Sequence, residues 1–95
     1  MSQAWRVTLD VRAAQILTDM HKAGEDRLHD AVILFARALA IEVGAAVGAG
    51  RPPAGTPLAD GRHAVDVFRE PVLLYYVAVP ELQRIRITDL VWLAT

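Results

Sequence analysis

Apolar residues in this chain recur with a period of two, then of three to four, then of two again, and that succession constrains the fold more than any other feature. In "AWRVTLDV", Trp5, Val7, Leu9 and Val11 alternate with Arg6, Thr8 and Asp10, which is the pattern of a half-buried strand. Asp10 stands where a helix N-cap belongs, and Ala13, Ile16, Leu17 and Met20 follow at helical spacing as far as Ala23-Gly24. This predicts a first helix of about three turns. A second helix is expected from about Glu25 into the Gly44 region, with Leu28, Val32, Phe35, Leu39 and Val43 as its apolar stripe. Ala31, Leu34, Ala38 and Ile41 widen that stripe, so most of the helix is expected to be covered. The Gly- and Pro-rich "GAGRPPAGTPLADG" reads as a surface loop. Beyond it "RHAVDVF", "VLLYYVAV" and "LQRIRITDLVWL" read as strands, with turns at Glu70-Pro71 and Pro80-Glu81. The fold class is α+β: one domain over residues 1–95, with an N-terminal strand, a helical hairpin and a three-stranded antiparallel meander.

A chain of 95 residues buries roughly 60–65% of its unfolded surface, enough for one core. With no cysteine, disulfides, thiolate chemistry and cysteine zinc sites are excluded, in keeping with a cytoplasmic location. A net charge of -1 gives no whole-molecule attraction to nucleic acid, so any electrostatic function is local. Residues 31–50 approach the length of a membrane span. There the large apolar side chains contribute about -2.4 to -4.8 kcal/mol to insertion, while Arg37 and Glu42 cost about +5 to +7. No membrane association and no secretion signal are therefore expected.

Strand parity assigns the faces of the meander. With two-residue turns at Glu70-Pro71 and Pro80-Glu81, Val65, Val67, Leu74, Tyr76, Ile85 and Ile87 share a core face under the helices. The opposite face collects Asp66, Phe68, Leu73, Tyr75, Val77, Arg84, Arg86 and Thr88, with Tyr75 between Asp66 and Arg86. Arg6 and Thr8 join it if the first strand enters the same sheet. Asp66, Phe68, Leu73, Tyr75, Val77, Arg84 and Arg86 are the candidate binding residues, for a protein partner or for nucleic acid. An aromatic ring among arginines can stack a base while guanidinium groups hold its backbone. Phe68, Leu73 and Val77 suit a protein chain better than a polyanion.

The order of elements, "GTPLADG" leading into the second strand, the "LLYYV" strand and the hydrophobic last strand resemble the RelE/ParE superfamily of small bacterial toxins from toxin-antitoxin pairs. The resemblance covers nearly the whole chain in layout and rests on loose patterns. It implies either ribosome-dependent messenger RNA cleavage, as in the RelE branch, or poisoning of DNA gyrase, as in the ParE branch. In both, an antitoxin lies across the toxin. The ribonuclease branch places an arginine just before the apolar stretch of the third strand, where this chain has Val72. It also ends in a basic segment closing on Tyr, whereas "TDLVWLAT" has no Lys, Arg, His or Tyr. Three readings follow: a ParE-like toxin binding a protein target, a non-toxic interaction or dimerisation module, and a messenger RNA endonuclease. The expected partners are an antitoxin or further copies of the chain, with gyrase or the ribosome as target.

Other constellations are thin. His21, Glu25 and His29 can converge at the helix-helix turn, where a solvated cluster is the ordinary outcome and a metal the rare one; no metal or cofactor is expected. His63 beside Arg62 reads as an exposed edge residue, with a base or phosphate contact as the alternative. Ser2, the only serine, has no His-Asp arrangement near it in sequence. Gly44, Gly48 and Gly50 are followed by no Gly-Lys-Ser/Thr, so they form no P-loop.

Overall fold

The computed structural model describes residues 4–93. Its elements are β1 (Arg6–Leu9), α1 (Val11–Lys22), α2 (Asp26–Gly48), β2 (Thr56–Pro57), β3 (His63–Asp66), β4 (Val72–Val79), a 3-10 turn (Pro80–Leu82) and β5 (Arg84–Trp92). The class is α+β, two helices on one face of a mixed sheet with strand order β1-β5-β4-β3-β2. The meander is antiparallel, and β1 adds to its far edge parallel to β5. Ser2, Ala94 and Thr95 lie outside the described residues.

Local chemistry explains the breaks. Gly24 takes φ 77°, and Gly24 N–H and Glu25 N–H return to the carbonyls of His21 and Met20, closing α1 with a left-handed cap. The second helix runs past Gly44 to Gly48, longer than expected. Ala45, Ala46 and Val47 sustain it, and Gly44 is kept for close approach, because a Cβ there would lie 2.5 Å from the Trp5 ring. Asp10 occupies the N-cap position of α1 without a side-chain cap bond; its carboxylate goes to Arg86 instead, 3.2 Å away. The alternation expected from Trp5 to Val11 stops early, since Leu9 and Val11 are exposed. Part of the Gly/Pro loop pairs as β2, with Thr56 opposite Ala64, so the sheet has one more strand than expected.

The core face agrees with strand parity. Val67, Leu74, Tyr76, Ile85 and Ile87 are buried with Leu39, and Val65 and Phe35 pack against them half-buried. The expectation that most of α2 is covered is corrected: Leu34 is 65% exposed and Ile41 61%. In a two-layer domain only the sheet-facing half of a helix finds a partner, and Ala38 and Ile41 face outward.

Tyr76 is a core residue with a structural hydroxyl. Fully buried, it stacks on His63 with ring centroids 5.5 Å apart and donates to the Ala54 carbonyl at 2.6 Å. Burial, with help from Glu42, pushes its phenol from 10.0 up to about 12. The folded state thus holds the proton more tightly than the unfolded chain. That contribution is complete below about pH 10 and is lost as pH rises through 12. It amounts to about 2–3 kcal/mol. Urea unfolding between pH 9 and 12 is expected to show this decline in the wild type and a flatter profile in Tyr76→Phe.

Candidate partner-binding face

The sheet surface turned away from the helices is built by pairing. Across its upper row Arg6 lies beside Arg84, which lies beside Val79; in the next, Thr8, Arg86 and Val77 are neighbours. Then come Asp89, Tyr75 and Ala64, and last Val91, Leu73 and Asp66. Arg86 and Asp66 are exposed, while Arg84, Leu73, Tyr75 and Val77 are half-buried. Arg6 and Thr8 do join this face, because β1 enters the sheet.

Tyr75 does not sit between Asp66 and Arg86. Its neighbours are Ala64 and Asp89, whereas Asp66 pairs with Leu73 and Arg86 with Val77. The reason is turn length. The β3–β4 connection is Phe68–Pro71, closed by Val67 N–H on the Val72 carbonyl and Glu70 N–H on the Val67 carbonyl. The β4–β5 connection, the 3-10 turn plus Gln83, brings Val79 opposite Arg84. Each turn is two residues longer than expected, which moves the partners by two and leaves the faces unchanged as far as Ile87; beyond it a bulge shifts the rest of β5 by one more residue and brings Asp89 opposite Tyr75. Phe68 accordingly leaves the strand. It stands 72% exposed in the turn, with the Arg69 guanidinium 5.1 Å from its ring centroid. Arg27 anchors the same turn through two bonds to Glu70, at 2.8 and 3.1 Å, and holds the Glu70 carboxyl below the usual range.

Five further charged residues complete the electrostatics. Arg62 lies over the Tyr75 ring at 5.1 Å, a cation–π contact. It is steered by Asp60, whose carboxyl accepts from the Arg62 backbone N–H and guanidinium and is held below its usual range as a result. Asp10 partners Arg86, and Asp89 lies 3.8 Å from Arg12. Arg62 and Asp10 were legible, since Arg62 shares parity with Ala64 and Asp66 and Asp10 with Arg6 and Thr8; Asp89 was not, because a bulge places it on this face. The face therefore runs from a basic corner at Arg6 and Arg84, over an apolar centre of Val79, Val77, Leu73 and Val91, to carboxylates at Asp66 and Asp89.

The remaining candidates settle elsewhere. His63 is half-buried against Tyr76 on the core side, and its Nδ1 is enclosed without a bonding partner among the described residues. It is not an exposed edge residue. His21 and His29 come within 6.5 Å, ring to ring, but their Nδ1 atoms face different carboxylates, Asp26 at 2.6 Å and Asp30 at 3.1 Å. Among the described residues no three His, Cys, Asp or Glu side chains converge as a metal site. Val72 is buried in the core, so its position offers no group to the open face. Comparison with protein-family models, curated proteins and solved structures found no match.

Proposed function

We propose that this chain is a cytoplasmic, toxin-like component of a bacterial toxin-antitoxin pair, acting by binding a protein target and neutralised by a partner antitoxin. The observation that carries the protein-binding part is the open sheet face, whose apolar centre is flanked by arginines and carboxylates. An apolar middle with a charged rim is the anatomy of a protein interface. The toxin part rests on the RelE/ParE resemblance in layout. The ribonuclease reading is weaker, because Asp10 partners Arg86 and carboxylates at Asp66 and Asp89 oppose a polyanion.

Inducing the protein alone is expected to arrest growth with transcripts intact, and co-expressing the adjacent gene to restore growth. Val77→Asp is expected to remain folded and lose the arrest. Normal growth of cells holding abundant soluble protein would overturn the toxin reading. Arrest with cleaved transcripts, both abolished by Arg84→Glu with Arg86→Glu, would establish the ribonuclease instead.

A further inference from the structure

The outer face of α2 carries a heptad seam that no part of the core uses. Ala31, Leu34, Ala38, Ile41, Ala45 and Gly48 are spaced three, four, three, four and three residues apart, the a/d repeat of a helix-helix contact. Leu34 and Ile41 are 65% and 61% exposed, and Ala38, Ala45 and Gly48 are exposed with them. The seam also alternates in size. One heptad position is always alanine, and the other is Leu, Ile or Gly.

We infer that this face binds a second copy of the chain through an antiparallel α2–α2 contact. The sizes select both partner and direction. With a two-fold axis midway between residues 39 and 40, Leu34 meets Ala45 of the partner subunit, Ile41 meets Ala38 of the partner subunit, and Ala31 meets Gly48 of the partner subunit. Each layer then sets a small residue against a larger one or another small one, and no layer stacks two large side chains. A parallel pair would stack alanine on alanine and leucine on leucine, which demand different interaxial distances within the 8–10 Å range of packed helices. One self-complementary patch closing on itself is the ordinary geometry of a homodimer. The flanks add no repulsion in this direction: Arg37 approaches Gly44 of the partner subunit, and Glu42 approaches Phe35 of the partner subunit.

A second feature supports the same occupant. Beside the seam, Trp5, Gly44, Gly48 and Gln83 line an open groove with Ile41 and Ala45, and its glycine floor gives the partner's Arg37 room. The competing parallel dimer gains an Arg37 to Glu42 ion pair across the interface, but an exposed pair of this kind contributes little. The seam spans about 26 Å of helix, so the interface lies at the small end of specific contacts, about 1,000 Å², and micromolar association is expected. The inference is independent of the toxin reading, since it uses none of the open sheet face.

The chain contains no cysteine, so introduced thiols report the contact directly. The double variant Leu34→Cys with Ala45→Cys is expected to form disulfide-linked dimers on mild oxidation. Its two thiols lie about 16 Å apart on one helix and cannot bridge within a chain. Leu34→Cys alone is expected to give no dimer, because the two copies of residue 34 are equally far apart across the axis. In sedimentation velocity at about 200 µM the wild type is expected to sediment as a dimer, and Leu34→Glu with Ile41→Glu as a folded monomer by circular dichroism. A monomeric wild type at that concentration, cross-linking by Leu34→Cys alone, or a dimer indifferent to the glutamates would each overturn the inference.

Discussion

Replacing Tyr76 by alanine is expected to cost about 3–5 kcal/mol of stability, while the same change at the adjacent Tyr75 costs about 1 kcal/mol. Both side chains come from the same strand, but they face opposite ways. Tyr76 is fully buried on the helix side of the sheet, stacks on His63 of the neighbouring strand and donates to the Ala54 carbonyl. Its removal opens a cavity and leaves a carbonyl without its donor. Tyr75 is half-buried on the open face and loses mainly its contact with Arg62. A domain of this size is stable by about 5–14 kcal/mol, so the first loss consumes a large share of the total. The melting temperature is expected to fall by roughly 12–40 °C for Tyr76→Ala and by less than 10 °C for Tyr75→Ala. Equal losses in calorimetry would mean that the two faces have been assigned wrongly.

The second large effect is expected at Gly55, where valine should destabilise by about 3 kcal/mol or more. Two costs combine there. The residue sits at φ 99°, which an L side chain adopts only under strain, and a Cβ would lie 2.6 Å from the Ala64 carbonyl oxygen and 2.6 Å from Val65 Cγ2. The neighbour Ala54 is held by Tyr76, so the loop cannot simply lift away. By contrast Gly61→Ala, at φ 87° with nothing within 4 Å of its Cβ, meets only the backbone term, about 1–2 kcal/mol. Urea titration of both variants separates clash from conformation. A Gly55→Val protein as stable as Gly61→Ala would show that the loop does not pack on β3.

Much of the binding face is legible in the sequence, because which side of a strand a residue occupies depends only on counting by two. Leu73, Tyr75, Val77, Arg84 and Arg86 lie on the open side as parity assigns them. Their neighbours were not legible. Two turns, each longer by two residues, conserve every face, so burial cannot distinguish the registers. The choice falls to turn geometry, and here Arg69 at φ 62° and Gln83 at φ 50° supply the left-handed positions. Glycine or asparagine would have announced such turns.

The order of the elements apart from β2, the central core stripe of each helix and the inward residues of β3, β4 and β5 up to Ile87 are written in the chain, since these follow from periods repeated within single segments. How the segments meet is set by long-range contacts. A bulge opposite Tyr75 and Tyr76 turns Leu90 inward and leaves Asp89 at the open side. Without it, alternation from Ile87 would have driven the Asp89 carboxylate into the core at a cost of several kcal/mol. β1 came to rest parallel to β5, placing Arg6 beside Arg84 and Asp10 beside Arg86, and the outer side of α2 found no layer to cover it. Each of these outcomes depends on contacts between residues far apart in the chain. Local propensity is silent about such contacts, because several partners satisfy it equally.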